Sequence, residues 1–238
     1  REAMSDLDDS QSDIGMDDAC MIDTRTADAR CTALDALFDR ACIVPVLVVE
    51  SLDDAEPLAR TLVDAGLPVL EVTLRTPVAL QAIERMRSVP GAIVGAGTVL
   101  DARDLDAVAR AGAAFAISPG ATPSLLRAAN DRAMPLLPGI ATASELMAAR
   151  ELGYRRFKFF PAESSGGVAA LRALSGPFAD ARFCPTGGID AAKAPAYLAL
   201  RNVFAVGGSW MVPANSLRTR DWAAIHALAR DAASLRPA

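Results

Sequence analysis

The sequence predicts an α/β fold, a single closed (β/α)8 barrel led by one helix. Three observations carry this. Eight short apolar runs begin near Ile43, Val69, Ala92, Phe115, Pro135, Phe157, Arg182 and Val203, spaced by about 20 to 26 residues, and each is followed by an amphipathic helix pattern. No two runs are joined by a hairpin-type turn, so successive strands are expected to be parallel and connected through helices. At 238 residues and 52% hydrophobic content, the chain is long enough for one large core, and barrels of this size commonly stay undivided. An open doubly wound sheet fits the same alternation; eight units in series favour closure.

Residues 1–23 are acidic and polar, carrying Asp6, Asp8, Asp9, Asp13, Asp17 and Asp18 among few large apolar groups. Such a composition does not offset the entropy of ordering, so a disordered acidic tail is expected there and the barrel domain is expected to span 24–238. Ala27, Leu34, Leu37, Phe38 and Ala41 recur at helical spacing, which predicts the leading helix from near Thr24 to Ala41. Ser51 before Leu52, Thr76-Pro77, Thr122-Pro123 and Thr142 each offer a side-chain oxygen to the free amides of a helix start, twice with proline in the first turn. A last helix, from about Thr219 to Leu235, would close the outer ring.

Composition excludes several classes of chemistry. The net charge of −5 argues against a general nucleic-acid binder, which would show a basic face. Cys20, Cys31, Cys42 and Cys184 lack C-x-x-C spacing and His226 is the only histidine, so a zinc site has few ligands and no metal or other cofactor is expected. A Ser-His-Asp or Cys-His mechanism would rest on His226 alone. No apolar run reaches membrane-spanning length, and the N-terminus lacks the basic-then-apolar order of a secretory signal. A cytoplasmic setting with free thiols is therefore expected.

Candidate chemistry sits at the strand ends, where barrels carry their sites. Phe157-Lys158-Phe159-Phe160-Pro161 places a primary amine in an apolar strand, and only Lys158 and Lys193 among the 24 basic residues are lysines. Burial disfavours an ammonium and leaves more neutral amine, which imine formation with a carbonyl substrate requires. The alternative is a lysine whose stem lies on apolar surface while its head reaches solvent. In Leu70-Glu71-Val72-Thr73-Leu74-Arg75, alternation puts Glu71, Thr73 and Arg75 on the inner face and the three apolar residues under the helices. The same parity turns Lys158 and Phe160 inward. Charges there must be paired or used, so Glu71 with Lys158 or Arg75 is either a strand-tying ion pair or part of a site.

Two glycine-rich segments complete the mouth: Pro185-Thr186-Gly187-Gly188-Ile189-Asp190 after the seventh run and Val206-Gly207-Gly208-Ser209 after the eighth. Backbone N–H groups can approach an anion there, and the loops after strands seven and eight are the usual barrel site for phosphate. Each Gly-Gly alone is as consistent with a plain turn. Gly95-Ala96-Gly97-Thr98 and Ser118-Pro119-Gly120 are similar turn formers, with Thr98 supplying a hydroxyl.

These segments together resemble the 2-keto-3-deoxy-6-phosphogluconate (KDPG) aldolase family, class I enzymes of the Entner-Doudoroff pathway. The resemblance runs from about Ile43 to Pro213 through Leu70–Thr76, Gly95–Val99, Ala116–Gly120, Pro138–Ile140, Phe157–Glu163, Phe183–Ile189 and Gly207–Trp210. It implies that Lys158 forms a Schiff base, that Glu71 is the general acid/base, and that Arg75 and Thr98 hold the pyruvyl carboxylate. It further implies that Pro119 and Phe160 shape the pocket, and that the segments Thr186, Gly187, Gly188 and Gly208, Ser209 receive the phosphate of a small phosphorylated 2-keto acid. A homotrimer without metal, often active on 4-hydroxy-2-oxoglutarate as well, is implied too. Other readings are an aldolase for the galactonate epimer, a phosphosugar isomerase or epimerase using Glu71 as base, and a non-enzymatic sensor or assembly subunit.

Overall fold

A computed structural model describes residues 24–132 and 134–235; the expected acidic tail over residues 1–23 lies outside them. The strands are β1 (Ile43–Leu47), β2 (Val69–Thr73), β3 (Ile93–Gly97), β4 (Ala116–Ile117), β5 (Leu136–Leu137), β6 (Gly139–Ile140), β7 (Arg156–Phe159), β8 (Arg182–Pro185) and β9 (Val206–Gly208). The helices are α1 (Thr24–Phe38), α2 (Leu52–Asp64), α3 (Ala79–Met86), α4 (Ala102–Arg110), α5 (Pro123–Asp131), α6 (Ala143–Glu151), α7 (Gly167–Leu174), α8 (Ala194–Leu198), α9 (Ala214–Arg218) and α10 (Trp222–Ser234). Every strand pairing is parallel. One curled sheet has the order β5-β4-β3-β2-β1-β9 and a second the order β6-β7-β8. Parallel bridges Phe183↔Val203 and Thr186↔Gly207 run between them.

The fifth apolar run is divided at Pro138, which has no N–H to give to a ladder. β5 pairs with β4 and β6 with β7, while the Pro138 carbonyl still accepts from the Lys158 amide at 2.9 Å. The strand bearing Lys158 is therefore β7. Alternate strand residues sort into two apolar clusters, as a period of two requires. Ile43, Leu70, Leu136, Phe157 and Phe183 pack in an outer cluster with helix side chains such as Leu58 and Ile83. Val44, Val69, Leu137, Cys184 and Ala205 form an inner cluster with Leu34 and Phe38 of α1. The Phe38 ring lies 5.3 Å from the Phe115 ring, and the Asp35 carboxylate takes two 2.6 Å hydrogen bonds from Arg156, tying α1 to β7.

Three of the expected caps form. Ser51 Oγ accepts from the Asp53 amide, Thr122 Oγ1 from the Leu125 amide, and Thr142 and Glu145 make a reciprocal capping box. Thr76 does not cap: α3 starts after Val78, and the Thr76 hydroxyl donates instead to the Val49 carbonyl at 2.6 Å, joining the loops after β1 and β2. The last helix also starts later than expected, at Trp222 behind Asp221, because α9 reaches its C-cap at Thr219 and Arg220 takes a left-handed φ of 55° between the two helices. Among the described residues no helix is long and apolar enough to cross a membrane.

Candidate active site

β2 and β7 each turn one charged side chain to the inside. Glu71 and Lys158 are 2% and 5% exposed, and Lys158 Nζ donates to Glu71 Oε1 at 3.0 Å. Neither charge would be stable there alone, and each neutralises the other. Room for the carboxylate comes from Gly97 on β3, where a Cβ would stand 2.2 Å from Glu71 Oε1. The Phe160 ring centroid lies 5.2 Å from Lys158 Nζ. Cys184 is the β8 residue paired with Lys158, and burial, reinforced by the Glu71 charge, pushes its thiol up to about 12. Of the two ion pairs open at the sequence level, the structure contains Glu71 with Lys158.

Arg75 is exposed at the end of β2 and its Nε donates to Thr73 Oγ1 at 3.2 Å; Thr73 in turn donates to the Leu47 carbonyl. The guanidinium is thus steered by a hydroxyl and is not spent on Glu71. Thr98, directly after β3, is half-buried with φ of 61°, a left-handed conformation that is uncommon for a β-branched residue. Such outliers gather at functional sites because the surrounding structure holds them. Pro119 is half-buried with its carbonyl packed against Gly139, where a Cβ would come within 2.3 Å of it.

The two glycine loops lie side by side. Thr186 is buried and bridged to Gly207, whose added Cβ would meet Thr186 Oγ1 at 2.3 Å. A Cβ on Gly208 would strike the Trp210 ring at 1.9 Å, and Ser209 beside it is exposed. Gly187 and Gly188 have φ of 106° and 78°, backbone that glycine alone adopts readily. A cavity of about 940 Å³ between the ends of β1 and β9 reaches Ser209 and Trp210, whereas neither Lys158 nor Glu71 lines it. Its charged lining comes from Glu50, Asp54, Arg218 and Arg220 instead.

Behind Gly187-Gly188 lies a network that no sequence motif announced. Lys193 Nζ donates to the Gly188 carbonyl at 2.8 Å and to Glu163 Oε2 at 2.9 Å, and the Tyr197 hydroxyl donates to Glu163 Oε1. These bonds, Tyr197's first and Lys193's second, hold the Glu163 carboxyl below the usual carboxylate range. The only hint in the sequence was that Lys193 is the second of two lysines. Among the described residues no group of three or more His, Cys, Asp or Glu side chains could hold a metal ion.

Comparison with known proteins gives a consistent result. A family model described as KDPG and KHG aldolase matches residues 34–228. The KHG/KDPG aldolase of Escherichia coli K12 is 52% identical over 202 residues, covering 84% of this chain and 95% of that protein. Among solved structures, the 2-keto-3-deoxy-6-phosphogluconate aldolase of Zymomonas mobilis ZM4 with 3-phosphoglycerate is 50% identical with a TM-score of 0.83, over 86% of this chain and 97% of that one. The KDPG aldolase of Legionella pneumophila, with pyruvate captured as a covalent carbinolamine, is 46% identical with a TM-score of 0.82, over 84% of this chain and 98% of that one.

Proposed function

The chain belongs to the KDPG and KHG aldolase family, and from that membership we propose how its own residues carry out the reaction. It is a carbon–carbon lyase that cleaves KDPG to pyruvate and D-glyceraldehyde 3-phosphate. 4-Hydroxy-2-oxoglutarate, cleaved to pyruvate and glyoxylate, is its second substrate in this reading. The observation that carries the assignment of roles is a buried amine on β7 that stands 3.0 Å from a buried carboxylate on β2.

Glu71 takes the proton that Lys158 must lose before its lone pair attacks C2 of the keto acid. The same carboxyl returns it to the carbinolamine hydroxyl, which leaves as water and gives a protonated imine. Glu71 then removes the C4 hydroxyl proton. The C3–C4 bond breaks, its electrons pass through C2 to the imine nitrogen, and the aldehyde departs. The resulting enamine takes a proton back at C3, and water releases pyruvate from Lys158. Arg75 and Thr98 hold the pyruvyl carboxylate, a guanidinium suiting two parallel bonds to it. Phe160 and Pro119 wall the pocket. Thr186, Gly187, Gly188, Gly208 and Ser209 hold the phosphate, which orients the substrate away from the breaking bond. An isomerase or epimerase on these residues is not favoured, since the relatives are aldolases.

Incubation with pyruvate and borohydride, followed by peptide mass spectrometry, is expected to place a reduced adduct on Lys158. An unmodified Lys158 in protein that turns over KDPG would overturn the Schiff-base role. The proposal also includes closure of the curled sheet into a full (β/α)8 barrel over 24–238, a cytoplasmic location and a homotrimer. The last predicts a solution mass of about three times the 24.8 kDa chain by light scattering.

A further inference from the structure

We propose that Lys193, Glu163 and Tyr197 are positioning residues that aim the Gly187-Gly188 peptides at the substrate phosphate and so set the preference for phosphorylated over unphosphorylated keto acids. This rests on the phosphate reading given above. Both diglycine carbonyls are held from one side: Gly187 oxygen by the Glu163 amide at 3.1 Å, Gly188 oxygen by Lys193 Nζ at 2.8 Å. In a planar trans peptide the N–H points opposite to its carbonyl. Fixing these two oxygens therefore turns the N–H groups of Gly188 and Ile189 the other way. Among the described residues neither N–H has a protein acceptor. Successive free N–H groups in a turn form an anion-binding concavity.

Glycines at φ of 106° and 78° would not keep that orientation by themselves, since glycine visits both halves of the map about equally. The restraint must come from outside the turn. Glu163 supplies it, five residues beyond Lys158 in the loop after β7, with its backbone on Gly187 and its carboxylate on Lys193 and Tyr197. It packs closely enough that a Cβ on Gly188 would meet its Cβ and Cγ at 2.9 Å. Each carboxylate oxygen takes one bond, Oε2 from an ammonium and Oε1 from a phenol, and the ammonium has the Gly188 carbonyl as its second acceptor. The loop that follows the amine-bearing strand and the loop that receives the phosphate are thereby one rigid unit.

The test compares kcat/KM for KDPG and for 4-hydroxy-2-oxoglutarate, which carries no phosphate, in Lys193→Ala, Tyr197→Phe and Ser209→Ala. Lys193→Ala is expected to lower the KDPG value about tenfold more than the other, mainly through KM, the size of one lost hydrogen bond to a charged group. Tyr197→Phe should move the preference the same way by less, and Lys193→Arg should restore part of it. An equal loss on both substrates, or no loss, overturns the proposal. If Ser209→Ala shifts the preference while Lys193→Ala does not, the phosphate site stands and the positioning role fails. If neither shifts it, the phosphate reading itself fails, and the positioning role with it.

Discussion

Replacing Gly97 by alanine tests the catalytic geometry without touching a reacting group. The new methyl would stand 2.2 Å from Glu71 Oε1 and 2.8 Å from its Cγ. Carbon and oxygen that are not bonded settle near ~3.3 Å, so the carboxylate oxygen must retreat by about 1 Å. The Lys158 to Glu71 separation, 3.0 Å in the structure, would then open to about 4 Å, outside hydrogen-bonding range. A misplacement of about 1 Å at a proton-transfer pair is expected to lower kcat about 100-fold, and the overpacking should cost about 1–3 kcal/mol of stability. Gly97 has no positive φ, so backbone strain does not complicate the result. The assay is pyruvate release coupled to lactate dehydrogenase, with thermal melting to show that the variant is folded. Gly120→Ala is the matched control, since a Cβ there meets nothing within 4 Å. A folded Gly97→Ala protein turning over at the wild-type rate would refute the claim that Glu71 must stay where it is.

Glu71→Gln keeps the shape and removes the proton carrier, so kcat on KDPG should fall by about 10²- to 10⁴-fold; a near-normal rate at saturating substrate would remove Glu71 from the mechanism. Cys184 has its thiol pushed up to about 12 against 9.0 for an ordinary cysteine, which keeps it protonated in the fold. The stability linked to that proton is complete below about 9 and is lost as pH rises toward about 12, so Cys184→Ala should flatten the alkaline fall in the denaturation midpoint; identical curves would contradict this. In the native protein Cys184 should also resist iodoacetamide longer than Cys42, which is half-buried, as read by peptide mass spectrometry. Asp35→Asn breaks the paired bonds to Arg156, and with both side chains partly open to solvent the expected loss is about 1–2 kcal/mol. An unchanged melting temperature would show that α1 is held by its apolar contacts alone.

Much of the site was readable because strands obey a period of two. That parity was enough to bring Glu71 and Lys158, 87 positions apart, to one interior. It could not say whether Glu71 would choose Lys158 or Arg75, because that depends on Thr73, whose hydroxyl takes the Arg75 Nε. Thr76 was misread for a related reason. A cap motif records only that an oxygen is available, while the Thr76 hydroxyl found the Val49 carbonyl on a neighbouring loop. Pro138 could have warned that the fifth run would break, since a proline cannot donate to a ladder. Nothing local in the sequence joined Glu163, Lys193 and Tyr197, beyond Lys193 being the second of two lysines. Their meeting is a product of β7 and β8 lying side by side, which appears only once the chain is folded.

The contact of Leu34 and Phe38 with the inner cluster bears on traffic. Helix α1 covers that cluster beside Val44 and Val69, at the starting ends of β1 and β2, while Thr98 and Ser209 stand past the opposite ends of β3 and β9. In the proposed mechanism the aldehyde departs while the three-carbon acid is still bonded to Lys158, so the covalent bond itself orders release, and synthesis in the reverse direction has to load that acid first.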